Sequence, residues 1–207
     1  MPHFISPREA EDADVVGIGG PLNTQTLREA YGRGIFPWPT PGYPLLWFCP
    51  PTRAVLDFDR LHIPRRLTRI RRAGALTFTL DRAFEAVVEA CRLTPRPGQS
   101  STWITTEMQR AYGELHRQGH AHSVEAWDGA GTLVGGLYGV QIQEYFSGES
   151  MFHHVPNASK LALLYLIDIL AQQGIHWLDC QMMTPHMEAL GAREIPRADF
   201  LNRIGAE

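Results

Sequence analysis

Residues 135–152 read GGLYGVQIQEYFSGESMF, and this stretch predicts the centre of the fold. Two apolar runs with interspersed glycines, 133–140 and 145–151, flank a short polar connection, which is the pattern of a β-hairpin. The second run ends in GESMF, where Glu149 stands between a glycine and two large apolar residues. Such a carboxylate suits the mouth of a pocket for a cationic or amine-bearing substrate, and a charge that simply faces solvent from a strand end is the plainer alternative.

The composition excludes several broad classes of protein. Of the 207 residues, 44% are hydrophobic and 20% are charged, as in an ordinary globular protein. This length is enough for one large domain, or for one domain with a small additional one. The net charge of -3 argues against nucleic-acid binding over the whole surface, so the arginines clustered within 60–72 predict a local contact at most. The cysteines, Cys49, Cys91 and Cys180, form no C-x-x-C pair, which argues against a disulfide framework and a cysteine zinc site.

The start of the chain predicts where the protein resides. Its first residues lack the basic and apolar regions of a secretory leader, and no apolar run approaches the roughly 20 residues that span a bilayer. We therefore expect a cytoplasmic protein with no membrane partner.

Periodicity predicts a mixture of helices and strands around the hairpin. Residues 1–14 are expected to be a loose lead-in, followed by a short helix that Asn23 and Thr24 cap. The segment 34–51 is rich in proline and aromatic residues, which favours an extended loop. Further helices are expected at 64–73, 158–173 and 186–190, and two more are expected to begin at Asp81 as N-cap and at a capping box that starts with Thr106. Further strands are expected at 54–58, 76–80, 121–127 and 175–180. A Pro/Gly/Ser loop is expected at 94–101, and the C-terminal tail is expected to be irregular.

This order of elements predicts an α+β fold of the N-acetyltransferase (GNAT-like) type. We expect a mixed sheet flanked by helices at 52–207 and a small N-terminal subdomain at 1–51. In that fold the fourth and fifth strands splay apart around the acyl donor, and here they end near Glu149 and Asp179, which places both carboxylates at one cleft. The connection HHVPN, residues 153–157, has no glycine that would let backbone amides approach the pyrophosphate of coenzyme A. This argues against coenzyme A as donor, and we expect no cofactor.

Six motifs follow one another along nearly the whole chain. They are YGRGIFPW at 31–38, TWIT at 102–105, GHAHS at 119–123, GESMF at 148–152, NASK at 157–160 and DCQ at 179–181. Together they resemble the leucyl/phenylalanyl-tRNA–protein transferases, whose members move an aminoacyl group from tRNA to the N-terminal Arg or Lys of a protein. Where such members usually have two tryptophans and a serine before a proline, this chain has WFCP at 47–50. The resemblance implies Leu or Phe as the transferred residue, with Met as a further candidate, and acceptors that the transfer marks for degradation under the N-end rule.

The resemblance also implies roles for particular residues. Asp179 and Gln181 are expected to serve the attacking amine, where the Gln181 amide can only orient or relay and Asp179 can accept or stabilise a proton. The alternative for Asp179 is a strand-end residue that bonds to nearby backbone. Trp38 and Trp103 match positions near the 3′ adenosine of the donor, where a ring can stack on the base. The alternative for Trp38, together with Trp47, is that it fastens the small N-terminal subdomain to the main one. Glu149 is expected to meet the cationic acceptor.

Two further groups of residues have a simple alternative interpretation. Apolar strand residues are expected to line the pocket for the Leu or Phe side chain, or else to be ordinary core; they are Leu137, Phe146, Met151 and Leu178. Arginines on the helix at 64–73 are expected either to bind tRNA phosphates or to form a solvated face; they are Arg65, Arg66 and Arg69.

Several rival functions are weighed against this one. A serine hydrolase would need glycine two residues after Ser150, where Phe152 stands. A metal site at His116, His120 and His122 lacks an H-E-x-x-H pattern, so no metal is expected. A coenzyme A-dependent acetyltransferase and a non-catalytic tRNA-binding module stay open as alternatives.

Overall fold

The computed structural model describes residues 2–94, 103–142 and 144–206, and the expected hairpin lies at the centre of its larger sheet. The predicted loop at 94–101 lies, apart from Thr94, outside the described residues. The strands are β1 Val15–Ile18, β2 Phe36–Trp38, β3 Leu46–Phe48, β4 Thr52–Asp57, β5 Thr77–Leu80, β6 Ala121–Trp127, β7 Leu133–Ile142, β8 Tyr145–His153, β9 Trp177–Gln181 and β10 Arg193–Pro196. The α-helices are α1 Thr24–Gly32, α2 Arg65–Ala73, α3 Phe84–Leu93, α4 Thr106–Arg117, α5 Ala158–Gln172, α6 Pro185–Ala189 and α7 Arg197–Arg203.

The larger sheet has seven strands in the order β10-β4-β9-β8-β7-β6-β5. Neighbouring strands are antiparallel except for β8 and β9, which run parallel and are connected by α5. A Cβ at Gly135 would lie 2.5 Å from the Cβ of Ala158, so glycine at this position of β7 lets the first turn of α5 rest directly on the sheet. The mixed sheet with helices on both faces confirms the predicted fold class.

Side chains of the central strands alternate between two apolar layers. On one face, α5 packs against Val124, Leu137 and Phe146. On the other face, α1, α3 and α4 cover Tyr138 and Val140. This alternation follows from the period-2 geometry of a strand, and it leaves the hairpin buried on both sides.

A second sheet of three strands, in the order β1-β3-β2, lies in the N-terminal part of the chain. The expectation of an extended loop at 34–51 is therefore wrong, because two of these strands form within it. Pro37 lies in β2, which is an edge strand, and an edge position tolerates a residue that cannot donate a backbone hydrogen bond. The same apolar cluster contains Trp47 from this sheet and Tyr145 from the larger one, and the domain boundary at 51/52 stays a prediction.

Several local predictions need correction. Asp81 does not cap α3; it has a left-handed backbone with φ 59°, and its carboxylate accepts from the backbone N–H of Ser123 at 2.9 Å. Thr105, one residue before the predicted capping box, caps α4 by accepting from the backbone N–H of Met108 at 3.1 Å. The C-terminal tail is not irregular but forms β10 and α7, because its apolar residues pack into the core.

Candidate active site

The site lies where β8 and β9 separate. These strands pair over two positions only, Phe146 with Leu178 and Ser147 with Asp179. Beyond them, the described parts of β8 and β9 form no further pairs, so a cleft opens between the strands. The side chain of Gln181 spans the start of this cleft and donates from Nε2 to Oε1 of Glu149 at 2.7 Å.

A cavity of 770 Å³ occupies the cleft, a volume typical of small-molecule sites. Its lining includes Glu149 and Gln181, and its apolar wall comes from β7, β8 and β9 together with α5. The structure thus brings the expected pocket residues to one place, although their roles stay predictions. These lining residues are Trp38, Trp103, Leu137, Phe146, Met151 and Leu178.

Two tryptophans stand together at one end of the cavity. The rings of Trp38 and Trp103 stack with centroids 5.3 Å apart and an interplanar angle of 16°. This spacing leaves no room for a third ring between them, so a nucleobase can stack only on an outer face of the pair. Trp103 also lines a second cavity of 560 Å³ among the loops at 19–22 and 39–45, which contains none of the other expected site residues.

Asp179 does not line the cavity but lies behind its wall, and its side chain is 0% exposed. Its two carboxylate oxygens accept from Nε and Nη2 of Arg53 at 2.8 and 2.7 Å. They also accept from the hydroxyl of Ser147 and the backbone N–H of Gln181, both at 2.8 Å. The expectation that both carboxylates face the cleft is therefore wrong, because the charge of Asp179 is paired inside the protein.

The partner of Asp179, Arg53, is a site residue that sequence reasoning missed. Its guanidinium lies between the rings of Phe36 and Phe200, 4.6 and 4.4 Å from their centroids. Burial lowers the pKa of Arg53, but the adjacent Asp179 raises it by more, so the guanidinium stays charged. The sequence feature that could have indicated it is an arginine directly before the apolar run AVL in the strand TRAVLD.

Gln181 has an unusual backbone at the end of β9. Its φ is 62°, in the left-handed region, and the pairing of β9 with β4 shifts register beside it. A non-glycine residue in this region costs of the order of 1–3 kcal/mol, which the bond from its N–H to Asp179 helps to offset. This backbone turns the Gln181 amide toward Glu149 and the hydroxyl of Ser147, the latter at 3.2 Å.

Glu149 is the carboxylate of the described cavity lining, and it is half-buried. The hydroxyl of Tyr31 lies 2.6 Å from its Oε1, and the hydroxyl of Tyr112 lies 3.0 Å from its Oε2. Burial raises the pKa of Glu149 to about 7, although the bonds from Tyr31, Tyr112 and Gln181 lower it in part. The two tyrosines lie on the buried faces of α1 and α4, and no spacing in the sequence associates them with Glu149.

The arginines of α2 lie away from the cavity. Arg65, Arg66 and Arg69 are exposed on the helix surface, while Leu67 faces the core. Arg71 forms an ion pair with Asp168 of α5. Arg65, Arg66 and Arg69 therefore present their positive charge to solvent, and their contact with tRNA stays a prediction.

The histidines considered for a metal site have other contacts. The ring of His116 stacks on Phe84 with centroids 4.2 Å apart. Nδ1 of His122 lies 2.7 Å from the carboxylate of Asp81. Within the described ranges, no group of three His, Cys, Asp or Glu side chains is placed to hold a metal ion, and no helix is long and apolar enough to cross a membrane.

The mixed sheet flanked by helices, with a cavity between the splayed strands β8 and β9, is an N-acetyltransferase-like fold. The solved structure of FemX superposes with a TM-score of 0.57, covering 89% of this chain and 68% of that chain at 9% identity. At this identity the similarity concerns the fold alone.

Sequence comparison then specifies the family. The family model described as leucyl/phenylalanyl-tRNA protein transferase matches residues 55–205, and the model of that family's N-terminal domain matches residues 20–51. A relative from Nitratidesulfovibrio vulgaris (strain DP4), named leucyl/phenylalanyl-tRNA–protein transferase, is 53% identical over 198 residues, 96% of this chain and 84% of its own. One of the same name from Anaeromyxobacter dehalogenans (strain 2CP-C) is 47% identical over 203 residues, 98% of this chain and 87% of its own. The chain belongs to the leucyl/phenylalanyl-tRNA–protein transferase family, which confirms the resemblance and makes it an aminoacyltransferase.

Proposed function

We propose that this protein transfers leucine or phenylalanine from charged tRNA to the N-terminal Arg or Lys of acceptor proteins in the cytoplasm and marks them for degradation. The observation that carries this proposal is the combination of an apolar cavity with Glu149 and Gln181 at the point where β8 and β9 separate. One end of the cavity suits an apolar side chain, and the carboxylate suits a cationic amine.

The donor's aminoacyl side chain is proposed to rest on the apolar wall. Leu137, Phe146 and Leu178 line the cavity although each is at most 3% exposed, because most of each side chain packs into the core behind the wall. The adenosine at the 3′ end of the tRNA is proposed to stack on an outer face of the Trp38–Trp103 pair, where stacking contributes about 1–3 kcal/mol. The exposed arginines of α2 are proposed to contact phosphates farther along the tRNA.

The acceptor's amine is proposed to enter beside Glu149 and Gln181. An α-amino group has a pKa of about 7.7 to 8.0, so part of it is already neutral near pH 7, and modest proton removal suffices. Correct placement can then supply much of the acceleration, up to about 7–11 kcal/mol. Asp179 is proposed to hold the backbone of Gln181 and the hydroxyl of Ser147 in place, so that Gln181 can orient the amine.

The experiment that tests this function is transfer of labelled leucine from charged tRNA to a peptide that begins with Arg, beside a matched peptide that begins with Ala. We expect efficient labelling of the Arg peptide and weak labelling of the Ala peptide. Transfer of acetyl from acetyl-CoA in place of leucine would contradict the proposal. Tight binding of charged tRNA without any transfer would instead indicate a tRNA-binding module.

A further inference from the structure

Three polar groups from three separate elements meet at the wall of the cavity. They are the hydroxyls of Tyr31 in α1 and Tyr112 in α4 and the carboxyl of Glu149 in β8. The hydroxyl oxygens lie 2.6 Å from each other, and each also lies within hydrogen-bond distance of a different carboxyl oxygen, at 2.6 Å for Tyr31 and 3.0 Å for Tyr112. Three short contacts therefore close a ring.

The number of protons in this ring decides how many of its three oxygen–oxygen contacts are hydrogen bonds. Each tyrosine hydroxyl has one proton, so two protons serve three oxygen–oxygen contacts when the carboxyl is ionised. If both tyrosines donate to Glu149, no proton lies between their oxygens at 2.6 Å. With a third proton on Oε2 of Glu149, the carboxyl donates to Tyr112, Tyr112 donates to Tyr31 and Tyr31 donates to Oε1. Each group then donates once and accepts once, so the ring is complete in the protonated state.

We propose that Glu149, in this hydrogen-bonded ring with Tyr31 and Tyr112, is the general base that accepts the proton released by the attacking amine. The inference rests on the proposed function and deepens it by assigning the proton acceptor. Glu149 contacts the cavity, whereas Tyr31 and Tyr112 are at most 1% exposed and act through it as positioning residues. Asp179 is the weaker candidate, because four donors already occupy its oxygens behind the wall.

The proton balance of the transfer is simple. The acceptor's ammonium gives one proton to Glu149, and the neutral nitrogen then attacks the ester carbon of the aminoacyl-tRNA. A carbon–nitrogen bond forms, the ester carbon–oxygen bond breaks, and the second proton of the amine leaves on the 3′ oxygen of the tRNA. Glu149 then releases its proton to solvent through the cavity that it lines, and the ring returns to two protons.

The surroundings of Glu149 allow it to ionise near neutral pH. Burial raises the pKa of Glu149 to about 7, which is suitable for a base that is regenerated at neutral pH. The tyrosines are buried as well, and burial raises the pKa of each well above its usual value, so they keep their protons while Glu149 titrates. Among the described residues, Asp179 of β9 raises the pKa of Glu149 further, although its charge is paired with that of Arg53 in β4. Tyr138 of β7 and Tyr145 of β8 contact the tyrosines of the ring. Other titratable groups line the same cavity; they include His153, Lys160, Cys180 and His186.

The test is the pH dependence of single-turnover leucine transfer to an Arg-initiated peptide at saturating acceptor. The ionised carboxyl is the active form, so the wild-type rate should rise with pH through a midpoint near the pKa of Glu149. Glu149→Gln keeps the shape and should lower the saturated rate about 10²-fold, the low end for general base catalysis. It should also remove this midpoint and leave only that of the amine, at about 7.7 to 8.0.

The tyrosine variants test the ring itself. Tyr31→Phe or Tyr112→Phe removes a donor that stabilises the ionised carboxyl, so the midpoint should move to higher pH. Tyr145→Phe is the matched control, because its hydroxyl donates to the backbone carbonyl of Tyr31 and not to the ring. It removes one buried hydroxyl from the same region and should leave the midpoint unchanged.

An infrared difference titration of the free protein gives a second measurement that needs no activity. The carbonyl band of a protonated carboxyl should disappear through neutral pH in the wild type and should be absent from Glu149→Gln. If Glu149→Gln keeps the saturated rate and raises only KM, Glu149 binds the acceptor and is not the base. If the midpoint of the pH–rate profile is unchanged in both tyrosine variants, the proposal that the two tyrosines act through Glu149 is wrong. Absence of leucine transfer by the wild type would instead overturn the proposed function, while the infrared titration would still report the proton on Glu149.

Discussion

The buried ion pair between Arg53 and Asp179 makes a residue-scale prediction about stability. Asp179→Ala should lower the free energy of unfolding by about 3–5 kcal/mol, because it leaves the charge of Arg53 buried without a partner. Replacing both residues by leucine should recover much of this loss. Urea unfolding of the single and double variants measures the effect.

Gln181→Ala is the matched comparison for Asp179→Ala. It removes bonds to Glu149 and Ser147 but leaves no unpaired charge, so we expect a loss of about 1–2 kcal/mol with a larger fall in transfer rate. If Asp179→Ala unfolds like the wild type while transfer stops, Asp179 acts on the chemistry directly rather than through Gln181.

Glu149 makes a second residue-scale prediction, about acceptor choice. Because the charge of Asp179 is paired, Glu149 is the carboxylate of the described lining that can meet a cationic acceptor. The α-amine is common to Arg- and Ala-initiated peptides, so a preference for Arg requires that the Glu149 carboxylate also contact the Arg side chain. A charged hydrogen bond contributes about 1.5–3 kcal/mol, so with this second contact Glu149→Gln should reduce the preference for Arg-initiated over Ala-initiated peptides by roughly 10- to 150-fold. Measuring kcat/KM for both peptides tests this, with Glu107→Gln, outside this cavity, as control. Loss of binding to a non-hydrolysable aminoacyl-adenosine analogue, with the peptide ratio unchanged, would place Glu149 in the donor site instead.

At the scale of elements, the sequence predicts a helix or a strand correctly where the pattern of apolar residues lies within one contiguous segment. The apolar runs of β7 and β8 and the helix α5 were predicted because each pattern lies within one segment. The strands β2 and β3 were missed because proline and aromatic residues favour a loop locally, and pairing across the small sheet prevails. The ring of Tyr31, Tyr112 and Glu149 has no local spacing at all, since three distant elements contribute to it.

The exposed arginines of α2 make an element-scale prediction about tRNA. Reversing Arg65, Arg66 and Arg69 to Glu should weaken the binding of charged tRNA and lower the slope of log K against log salt by about 1 for each phosphate that the helix no longer neutralises. Filter binding across a salt series measures this slope. Reversal of Arg28 in α1 together with Arg110 in α4, both exposed, is the control and should leave the slope nearly unchanged. If the α2 variant has the same slope as the wild type, these arginines do not contact tRNA phosphates and form an ordinary solvated surface.

At the scale of the whole molecule, the C-terminal segment holds the N-terminal part against the larger sheet. Nη1 of Arg197 donates to the backbone carbonyls of Ala13 at 2.8 Å and Cys49 at 2.6 Å, and Nη2 donates to that of Glu11. Nearby, Gly34 comes so close to Phe200 that a Cβ would lie 2.6 Å from its ring. The two sheets therefore share one framework although they have separate hydrogen bonds.

This framework predicts that the protein unfolds in a single transition and that residues 52–207 do not fold alone, even if the boundary at 51/52 separates two sheets. Arg197→Ala should lower the free energy of unfolding by about 3 kcal/mol or more, because it leaves buried carbonyls without a donor, each costing about 1–3 kcal/mol. Arg203→Ala in the same helix breaks a partly exposed pair with Asp57 and should cost less than about 1 kcal/mol. Urea unfolding followed by tryptophan fluorescence and by far-UV circular dichroism measures both variants and tests whether the two probes coincide. Two separated unfolding transitions, or a folded 52–207 fragment that still binds an aminoacyl-adenosine analogue, would contradict this prediction. Either result would show that the N-terminal sheet folds independently and that the contacts of Arg197 are not needed to hold it.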